Sequence, residues 1–260
     1  RMGVEREYFN IGERIKISGR VSERRDYYML GTNVLFENGM EAILSATIDP
    51  VWSDRYIGGS EYSDRDLSLT AKAAAENRGI FRNWSIAGRT IGSTRHYPYT
   101  EEARAAMAVW DPITAPVANC ITPGMPGPMV QPLSHEFVDN GSTITLNVEY
   151  FGIARVIHMD DAVDSETVPP SPLGYSVGRW DGNTLVVETT RINFPYFNSA
   201  GAPQSENVRV VERFALSDDQ GELDFSITIT DPVTFTEPAT AGRLYVALGE
   251  PYVPLDCTVF

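Results

Sequence analysis

The sequence predicts a mainly β protein with a C-terminal antiparallel up-and-down β-barrel, lipocalin-like, or a strongly curled sheet. Three observations lead to this fold class. Apolar and polar residues alternate over many short segments, which is the period of a β-strand. Turn sequences such as Asn140-Gly141 and Asp219-Gln220-Gly221 separate these segments. Helix-forming segments are confined to residues 61–133.

Residues 1–60 predict a small N-terminal β unit. Alternation with period two runs from Arg14 to Val21 and again from Asn33 to Leu44, with Asn38-Gly39 as a hairpin turn. We expect an antiparallel meander or an OB-like unit. The segment lacks the interleaved aromatic and basic residues that stack bases in nucleic-acid-binding OB folds, so we expect it to be a scaffold.

Residues 61–133 are predicted to form a linker with two helices. Alanines within Asp64–Asn77 favour the first helix. The second helix is expected to begin at Thr100, whose hydroxyl can cap it, and to end at Asp111, which precedes a proline. The segment Cys120–Pro128 contains too many prolines and glycines for regular structure.

Residues 134–260 are predicted to form the barrel, because strand and turn patterns alternate along the segment. The predicted strands are Ser134–Asp139, Ser142–Tyr150, Gly152–Met159, Leu173–Trp180, Asn183–Thr190, Asn207–Leu216, Glu222–Asp231 and Gly242–Leu248. A barrel of about eight strands has an interior that side chains fill or that holds one small ligand.

The charge of the chain limits its partners. The formal net charge is −14 at pH 7, whereas phosphate backbones and anionic membrane surfaces bind to basic faces, so we expect no nucleic acid. The sequence contains no run of about 18 apolar residues, so no membrane span is predicted. The sequence gives no indication of the oligomeric state.

The segment Gly174–Gly178 matches the G-x-S-x-G pattern of serine hydrolases, with Ser176 in the position of the nucleophile. That pattern requires a strand that turns directly into a helix. Here Asp181-Gly182 and the β-branched run Thr184–Thr189 predict a β-hairpin. We therefore do not expect Ser176 to be a nucleophile, and a serine hydrolase is the third hypothesis for the function.

The predicted hairpin places candidate acid and base groups on one face. With Asp181-Gly182 as the loop, Tyr175 lies opposite Glu188, and both share a face with Arg179. Burial raises the pKa of a glutamate and a tyrosine hydroxyl can donate to a substrate oxygen, so Tyr175 and Glu188 are candidate catalytic residues. Arg179 is a candidate for binding an anionic group. The opposite face carries Trp180, a candidate substrate contact, and is more apolar, so the polar residues alternatively form an outward ladder.

His158 ends a predicted strand, and Asp160 and Asp161 follow it closely. A histidine beside carboxylates is a natural general base, because its reference pKa is near neutrality and an acid partner selects its tautomer. His158 and Asp160 are therefore candidate catalytic residues. The alternative is that His158 is a hydrogen-bonded residue at the barrel rim.

The loop Asn193–Asn198 contains three aromatic residues between two predicted strands. Clustered aromatic side chains in a loop need apolar cover, so this loop could form a lid or the lip of a pocket. Phe194 and Tyr196 are accordingly candidate substrate contacts. The alternative is that the loop packs across the end of the barrel.

No metal or cofactor is predicted. The histidines are His96, His135 and His158, and no two of them have the spacing of zinc ligands on a helix or a strand. Phosphate-binding glycine loops and nicotinamide or flavin signatures are also absent from the sequence. Cys120 and Cys257 lie outside any metal-binding spacing, and they are either a disulfide in an oxidising compartment or two buried free thiols.

The chain resembles, over most of its length, a family of exported, β-rich bacterial proteins whose activity is not established, and five segments carry the resemblance. They are GIFRNWS (Gly79–Ser85), CITPGMP (Cys120–Pro126), RVIHMD (Arg155–Asp160), Gly174–Glu188 and DPVTFTEP (Asp231–Pro238). Such proteins typically carry a cleaved signal peptide, so the resemblance implies a periplasmic or secreted protein with a Cys120–Cys257 disulfide. Relatives often continue after Asp160 with Gly-Arg and a His-Pro, whereas this chain has Asp161-Ala162-Val163. A site that used that second histidine would be incomplete here.

We therefore predict a periplasmic protein whose barrel cavity binds a small, mainly apolar organic molecule. It could also act on this molecule as a cofactor-free acid/base enzyme of isomerase, lyase or hydrolase type, with His158, Tyr175 and Glu188 transferring protons. The alternative is a non-enzymatic envelope protein that binds a ligand or a protein. An enzyme would show ionisable groups converging at the floor of a cavity, whereas a binder would show an apolar cavity with polar atoms only at its mouth.

Overall fold

A computed structural model describes residues 4, 6–23, 26, 28–44, 48–58, 71–73, 75–76, 78–91, 97–159, 164–247, 249, 251–255 and 257. The chain divides into two compact units, Arg1–Asp66 and Leu67–Phe260. Strands dominate the regular structure of both units. The mainly β fold class predicted from the sequence is thus confirmed.

The described strands of the N-terminal unit form a four-stranded sheet in the order β1-β2-β3-β4. They are β1 (Lys16–Val21), β2 (Met29–Leu35), β3 (Glu41–Ile43) and β4 (Tyr56–Gly58). β2 and β3 are antiparallel across the predicted Asn38-Gly39 turn, where Gly39 has φ 77°, a conformation that glycine adopts without strain. β4 pairs with β3 in parallel. Within the described residues the sheet is open, so these strands do not form the OB-type barrel that we considered.

The second unit contains a closed barrel of nine strands. They are β5 (Asn83–Ile91), β6 (His135–Asp139), β7 (Thr143–Val148), β8 (Ile153–His158), β9 (Tyr175–Asp181), β10 (Thr184–Thr190), β11 (Arg209–Leu216), β12 (Glu222–Thr230) and β13 (Ala239–Ala247). The order around the barrel follows the chain, and β13 closes it against β5. An odd number of strands cannot alternate in direction all the way round, and the parallel pair is β8–β9. The barrel therefore departs from a pure up-and-down order at that pair.

The ninth strand comes from a segment that we assigned to the linker. β5 pairs with β13 over several residues but with β6 only at Asn83 and Trp84. Ala87-Gly88 interrupts its apolar alternation, and glycine weakens a strand signal. The strand that closes the barrel, β5, is thus one that the local sequence pattern predicts poorly.

The region between β5 and β6 contains one long described helix, α1 (Glu101–Val109). Thr100 Oγ1 accepts a hydrogen bond from Ala103 N at 3.1 Å, which confirms the predicted N-cap. Residues 71–73 and 75 are also helical, whereas residues 64–70, 74 and 77 of the first predicted helix lie outside the described residues. None of the helices in the described ranges has the length and apolarity needed to cross a bilayer.

Cys120 and Cys257 form a disulfide, with their Cα atoms 5.4 Å apart. The alternative of two free thiols is therefore wrong. The bond joins the segment that follows α1 to the C-terminal region of the chain, at a sequence separation of 137 residues.

The inward-facing positions of the barrel carry large side chains that are almost fully buried. Among them are Trp84, Phe137, Leu146, Ile157, Leu185, Val187, Phe214, Phe225, Ile227 and Tyr245. A packed interior is one of the two outcomes expected for a barrel of this size. The two described cavities of about 420 Å³ are lined by the outward phase of β9–β11 and by residues of segment 72–83, β6 and the segment after β13, so our expectation of a ligand inside a lipocalin-like barrel is not met there.

Candidate functional site

A groove of about 420 Å³ lies on the outer face of β9, β10 and β11. We call it the outer groove. Successive residues of a strand point to opposite faces, so one phase of each strand lines this groove and the other phase fills the barrel. Its lining includes Tyr175, Val177 and Arg179 from β9, Val186 and Glu188 from β10, and Arg209 and Val211 from β11.

The groove brings predicted site residues together, but in a different register from the one that we predicted. Tyr175 pairs with Thr190, and Glu188 pairs with Val177. The turn lies one residue later than expected, because Asp181 still belongs to the ladder, where its Oδ2 contacts Arg213 Nη2 at 3.3 Å. Moving a hairpin loop by one residue shifts the pairing by two, which preserves the face of every side chain.

Glu188 is held as a carboxylate by Arg209. Arg209 Nε donates to Glu188 Oε1 and Nη2 donates to Oε2, both at 2.6 Å. The hydrogen bonds from Arg209 lower the pKa of Glu188, and this effect outweighs the opposing effect of burial. Our expectation of a raised pKa at Glu188 is therefore wrong, because a bidentate guanidinium stabilises the charged form.

Tyr175 and His158 lie against each other beside the groove. Their ring centroids are 4.7 Å apart and the planes are inclined by 31°. The parallel pairing of His158 with Val177 brings the two rings together. Tyr175 is 7% exposed, and its hydroxyl has no hydrogen-bond partner in the described part of the chain. His158, Tyr175, Arg179 and Glu188 thus share one region of the surface.

The three predicted aromatic contacts lie elsewhere. Trp180 is 47% exposed and does not line the outer groove; its ring meets the edge of Phe81 at 6.5 Å. Phe194 and Tyr196 line a separate cavity of only about 30 Å³. Tyr196 packs on Trp110 with ring centroids 4.6 Å apart.

One predicted catalytic residue and one of the three histidines have no described position. Asp160, the candidate acid partner of His158, lies outside the described residues, and so does His96. His135 faces the barrel interior, whereas His158 lies on the outward phase of β8, so these two histidines do not share a site. Among the described residues, no group of three or more His, Cys, Asp or Glu side chains could hold a metal ion.

Ser176 is a structural residue of the barrel interior. It lies within β9, which leads to the hairpin and not to a helix. Its Oγ accepts a hydrogen bond from Arg155 Nε at 3.0 Å and lies 3.0 Å from Thr189 Oγ1. The side chain is 2% exposed. The serine therefore lacks both the turn and the access that a nucleophile elbow provides.

A buried ion pair between Arg155 and Glu212 was not predicted from the sequence. Arg155 Nη1 donates to Glu212 Oε1 at 3.0 Å, and Nη2 donates to Oε2 at 2.5 Å. A signal was present in the sequence, because each residue interrupts the apolar phase of its strand. Arg155 stands between Ile153 and Ile157, and Glu212 stands between Val210 and Phe214.

A second buried polar group, His135, lies near this ion pair. Its ring centroid is 5.1 Å from that of Tyr245. Burial, assisted by the positive charges of Arg155 and Arg243, lowers the pKa of His135 to about 3, so the imidazole is neutral at physiological pH. The described residues offer no hydrogen-bond partner to His135 Nε2 or to the Tyr245 hydroxyl.

The fold and the site together define a closed nine-stranded β-barrel with a packed interior and a ligand-sized groove on its outer wall. No model of a known protein family matches the chain. A comparison with curated proteins returns no match either.

Proposed function

We propose that the protein is an exported, periplasmic binder of a small organic anion with an apolar body, which it holds in the outer groove. The Cys120–Cys257 disulfide supports this location, because disulfides persist in oxidising compartments. The resemblance to exported bacterial proteins supports it too, and membership of that family remains our prediction.

The observation that carries the proposal is the distribution of polarity in the groove. Val177, Val186 and Val211 give it aliphatic lining, whereas the charged groups belong to exposed or half-exposed side chains. A cavity of about 420 Å³ lies within the range of small-molecule sites. By the criterion set out above, this arrangement favours a binder.

Arg179 supplies the charge for the anionic group. Arg209 is engaged by Glu188, whereas Arg179 has no ion pair or hydrogen bond with another described residue. Among the described lining residues, Arg179 and Arg209 against Glu188 leave one positive charge in excess, which suits a ligand with a single carboxylate.

Calorimetric titration with octanoate, octanol and acetate tests the proposal. We expect saturable binding of octanoate. Octanol lacks the carboxylate and acetate lacks the apolar chain, so each should bind at least about tenfold more weakly. Arg179→Gln should weaken octanoate binding by about tenfold or more. Arg213→Gln is the matched control, since Arg213 is also exposed on the outside of β11 but does not line the groove. Equal affinities of the two variants would refute the role of Arg179.

A second candidate function is acid/base catalysis on the bound molecule. One observation favours it: the His158 ring lies against Tyr175, whose hydroxyl has no partner among the described residues. Glu188 is less suited to proton transfer, because Arg209 keeps it ionised. Native mass spectrometry of protein purified from its own host would identify a bound small molecule. Its conversion by the wild type but not by His158→Gln would favour the enzyme, and unchanged recovery would favour the binder.

A further inference from the structure

A second cavity of about 420 Å³ lies beside β6, and it shares no lining residue with the outer groove. We call it the charged cleft. Basic side chains from residues 72–82 line one part of it, namely Lys72, Arg78 and Arg82. Acidic side chains from β6, Glu136 and Asp139, line another part. The two parts meet where Phe137 N donates to Arg82 O at 3.2 Å.

Arg82 is a buried cation that forms no ion pair with a carboxylate in the described part of the chain. The residue is 6% exposed. Its Nε donates to Gly79 O at 3.0 Å and its Nη1 donates to Ala73 O, but Nη2 has no acceptor within the described ranges. A guanidinium stays charged at physiological pH, and a buried charge without a partner is costly.

The charges around Arg82 also favour an anionic partner for this side chain. Burial lowers the pKa of Arg82, and the positive charge of Arg78 lowers it further, against a smaller opposing effect of Glu76. Glu76 is itself paired with Arg78, at 3.6 Å from Nη1 to Oε2. With Lys72, Arg78 and Arg82 set against Glu76, this part of the cleft therefore carries an excess of positive charge that a carboxylate could neutralise.

The acidic side chains of β6 lack a cationic partner among the described residues. Glu136 Oε2 accepts a hydrogen bond from Asn147 Nδ2 at 2.9 Å, and Asp139 Oδ1 accepts one from Gly141 N at 2.8 Å. Both donors are neutral. The remaining carboxylate oxygens of Glu136 and Asp139 can accept hydrogen bonds from an ammonium group.

We propose that the charged cleft binds a small zwitterion, a free α-amino acid or a short peptide, with its carboxylate at the basic part, beside Lys72, Arg78 and Arg82, and its ammonium at Glu136 and Asp139. A simple anion would meet two carboxylates, and a simple cation would meet Lys72 and Arg82, so each is disfavoured at one part of the cleft. A zwitterion brings a carboxylate to the basic part of the cleft and an ammonium group to the acidic part. Phe81 and Val138, which also line the cleft, offer apolar contact to its side chain.

Calorimetric titration with four probes tests the proposal: L-alanine, L-alanyl-L-alanine, the N-acetylated dipeptide and the C-terminally amidated dipeptide. We expect at least one of the two zwitterions to bind saturably at concentrations up to about 10 mM. The acetylated and amidated forms should bind at least about tenfold more weakly than the dipeptide, or not at all, since each loses one charge-assisted contact. The alanine and dipeptide titrations distinguish an amino-acid site from a peptide site. Failure of both zwitterions to bind, or equal binding of either capped form, would overturn the proposal.

Variants locate the binding. Glu136→Gln combined with Asp139→Asn should weaken binding of the zwitterion by about tenfold, and both positions are exposed or partly exposed, so the fold should tolerate the change. Glu101→Gln on the exposed side of α1 is the matched control. Arg82 also anchors two backbone carbonyls, so the amidated dipeptide tests that contact without altering the protein. Arg179→Gln should leave dipeptide binding unchanged, which separates this site from the outer groove. Equal affinities of the Glu136/Asp139 variant and the Glu101 control would contradict the assignment.

Discussion

Arg155 and Glu212 form a bidentate ion pair across the inside of the barrel, with the two side chains 2% and 0% exposed. The guanidinium also donates to Ser176 Oγ and to Thr189 Oγ1, the latter at 2.7 Å. The contact links β8 to β11, which are not neighbours in the sheet. Because both charges are paired and hydrogen-bonded, the barrel accommodates them in an otherwise apolar interior.

Removal of one partner of this pair should destabilise the protein strongly. Arg155→Met or Glu212→Leu alone leaves an uncompensated buried charge, which costs about 3–5 kcal/mol. The double variant removes both charges, so it should be more stable than either single variant. Urea unfolding of the four proteins at pH 7 measures these differences. Additive losses in the double variant would show that the two charges do not compensate each other.

Reduction of the disulfide should lower the stability of the folded chain. Opening a loop with a sequence separation of 137 residues releases denatured-state entropy that corresponds to about 5 kcal/mol in the chain-entropy model. The urea midpoint should therefore fall when dithiothreitol is added. The Cys120→Ser/Cys257→Ser double variant should have the same urea midpoint as the reduced wild type, and this midpoint should not change when the reductant is added. An unchanged midpoint, with both thiols shown to be free, would contradict this account.

His135 should make the protein less stable in mild acid. In the unfolded chain its pKa takes the ordinary value of about 6.5, whereas in the folded state it is about 3. The unfolded chain then gains a proton that the folded chain excludes. The contribution of His135 is fully present above about pH 6.5 and is lost as the pH falls toward the folded value.

Urea unfolding between about pH 7 and pH 4 measures this effect. His135→Gln should lose less stability over this interval than the wild type, whatever its stability at pH 7. Tyr245→Phe is the control, because it removes the neighbouring hydroxyl and keeps the histidine. The same pH slope in His135→Gln and the wild type would rule out His135 as the titrating group.

Glu41 should hold together the N-terminal sheet. Its buried carboxylate accepts hydrogen bonds from Asn33 Nδ2 at 2.7 Å, from Val51 N and Trp52 N at 2.8 Å, and from Ser53 N at 2.9 Å. Burial raises the pKa of Glu41, but these hydrogen bonds together lower it. Glu41→Ala leaves the donors unsatisfied, and each charge-assisted bond contributes about 1.5–3 kcal/mol.

Amide hydrogen exchange measures the consequence locally. In Glu41→Ala, the amides of residues 51–53 should exchange much faster, whereas the barrel strands should keep their protection. Glu37→Ala, at an exposed position two residues beyond β2, should leave both units unchanged. Wild-type protection of residues 51–53 in Glu41→Ala would mean that the carboxylate does not organise this segment.

Strand positions in the barrel were predictable because alternation is a local property. The inward phase of β12, with Leu223, Phe225 and Ile227, is evident in the sequence. The same alternation predicted that Tyr175 and Glu188 share one face of the hairpin, and they share that face in the observed register as well. The turn itself was misplaced by one residue, since Asp181 pairs with Thr184 and Gly182, with φ 58°, takes the first position of the loop.

The sequence by itself determined the mainly β class, the phase of most strands, the cap of α1 at Thr100 and the presence of two pairable cysteines. Only the tertiary structure decided that β5 closes the barrel, that Arg155 meets Glu212 and that Arg209 keeps Glu188 ionised. The physical reason is how far along the chain the determining residues lie from one another. A side chain's face follows from the backbone geometry of its own strand, whereas its partners, and therefore its charge state, depend on segments that only the closed barrel brings within a few ångströms.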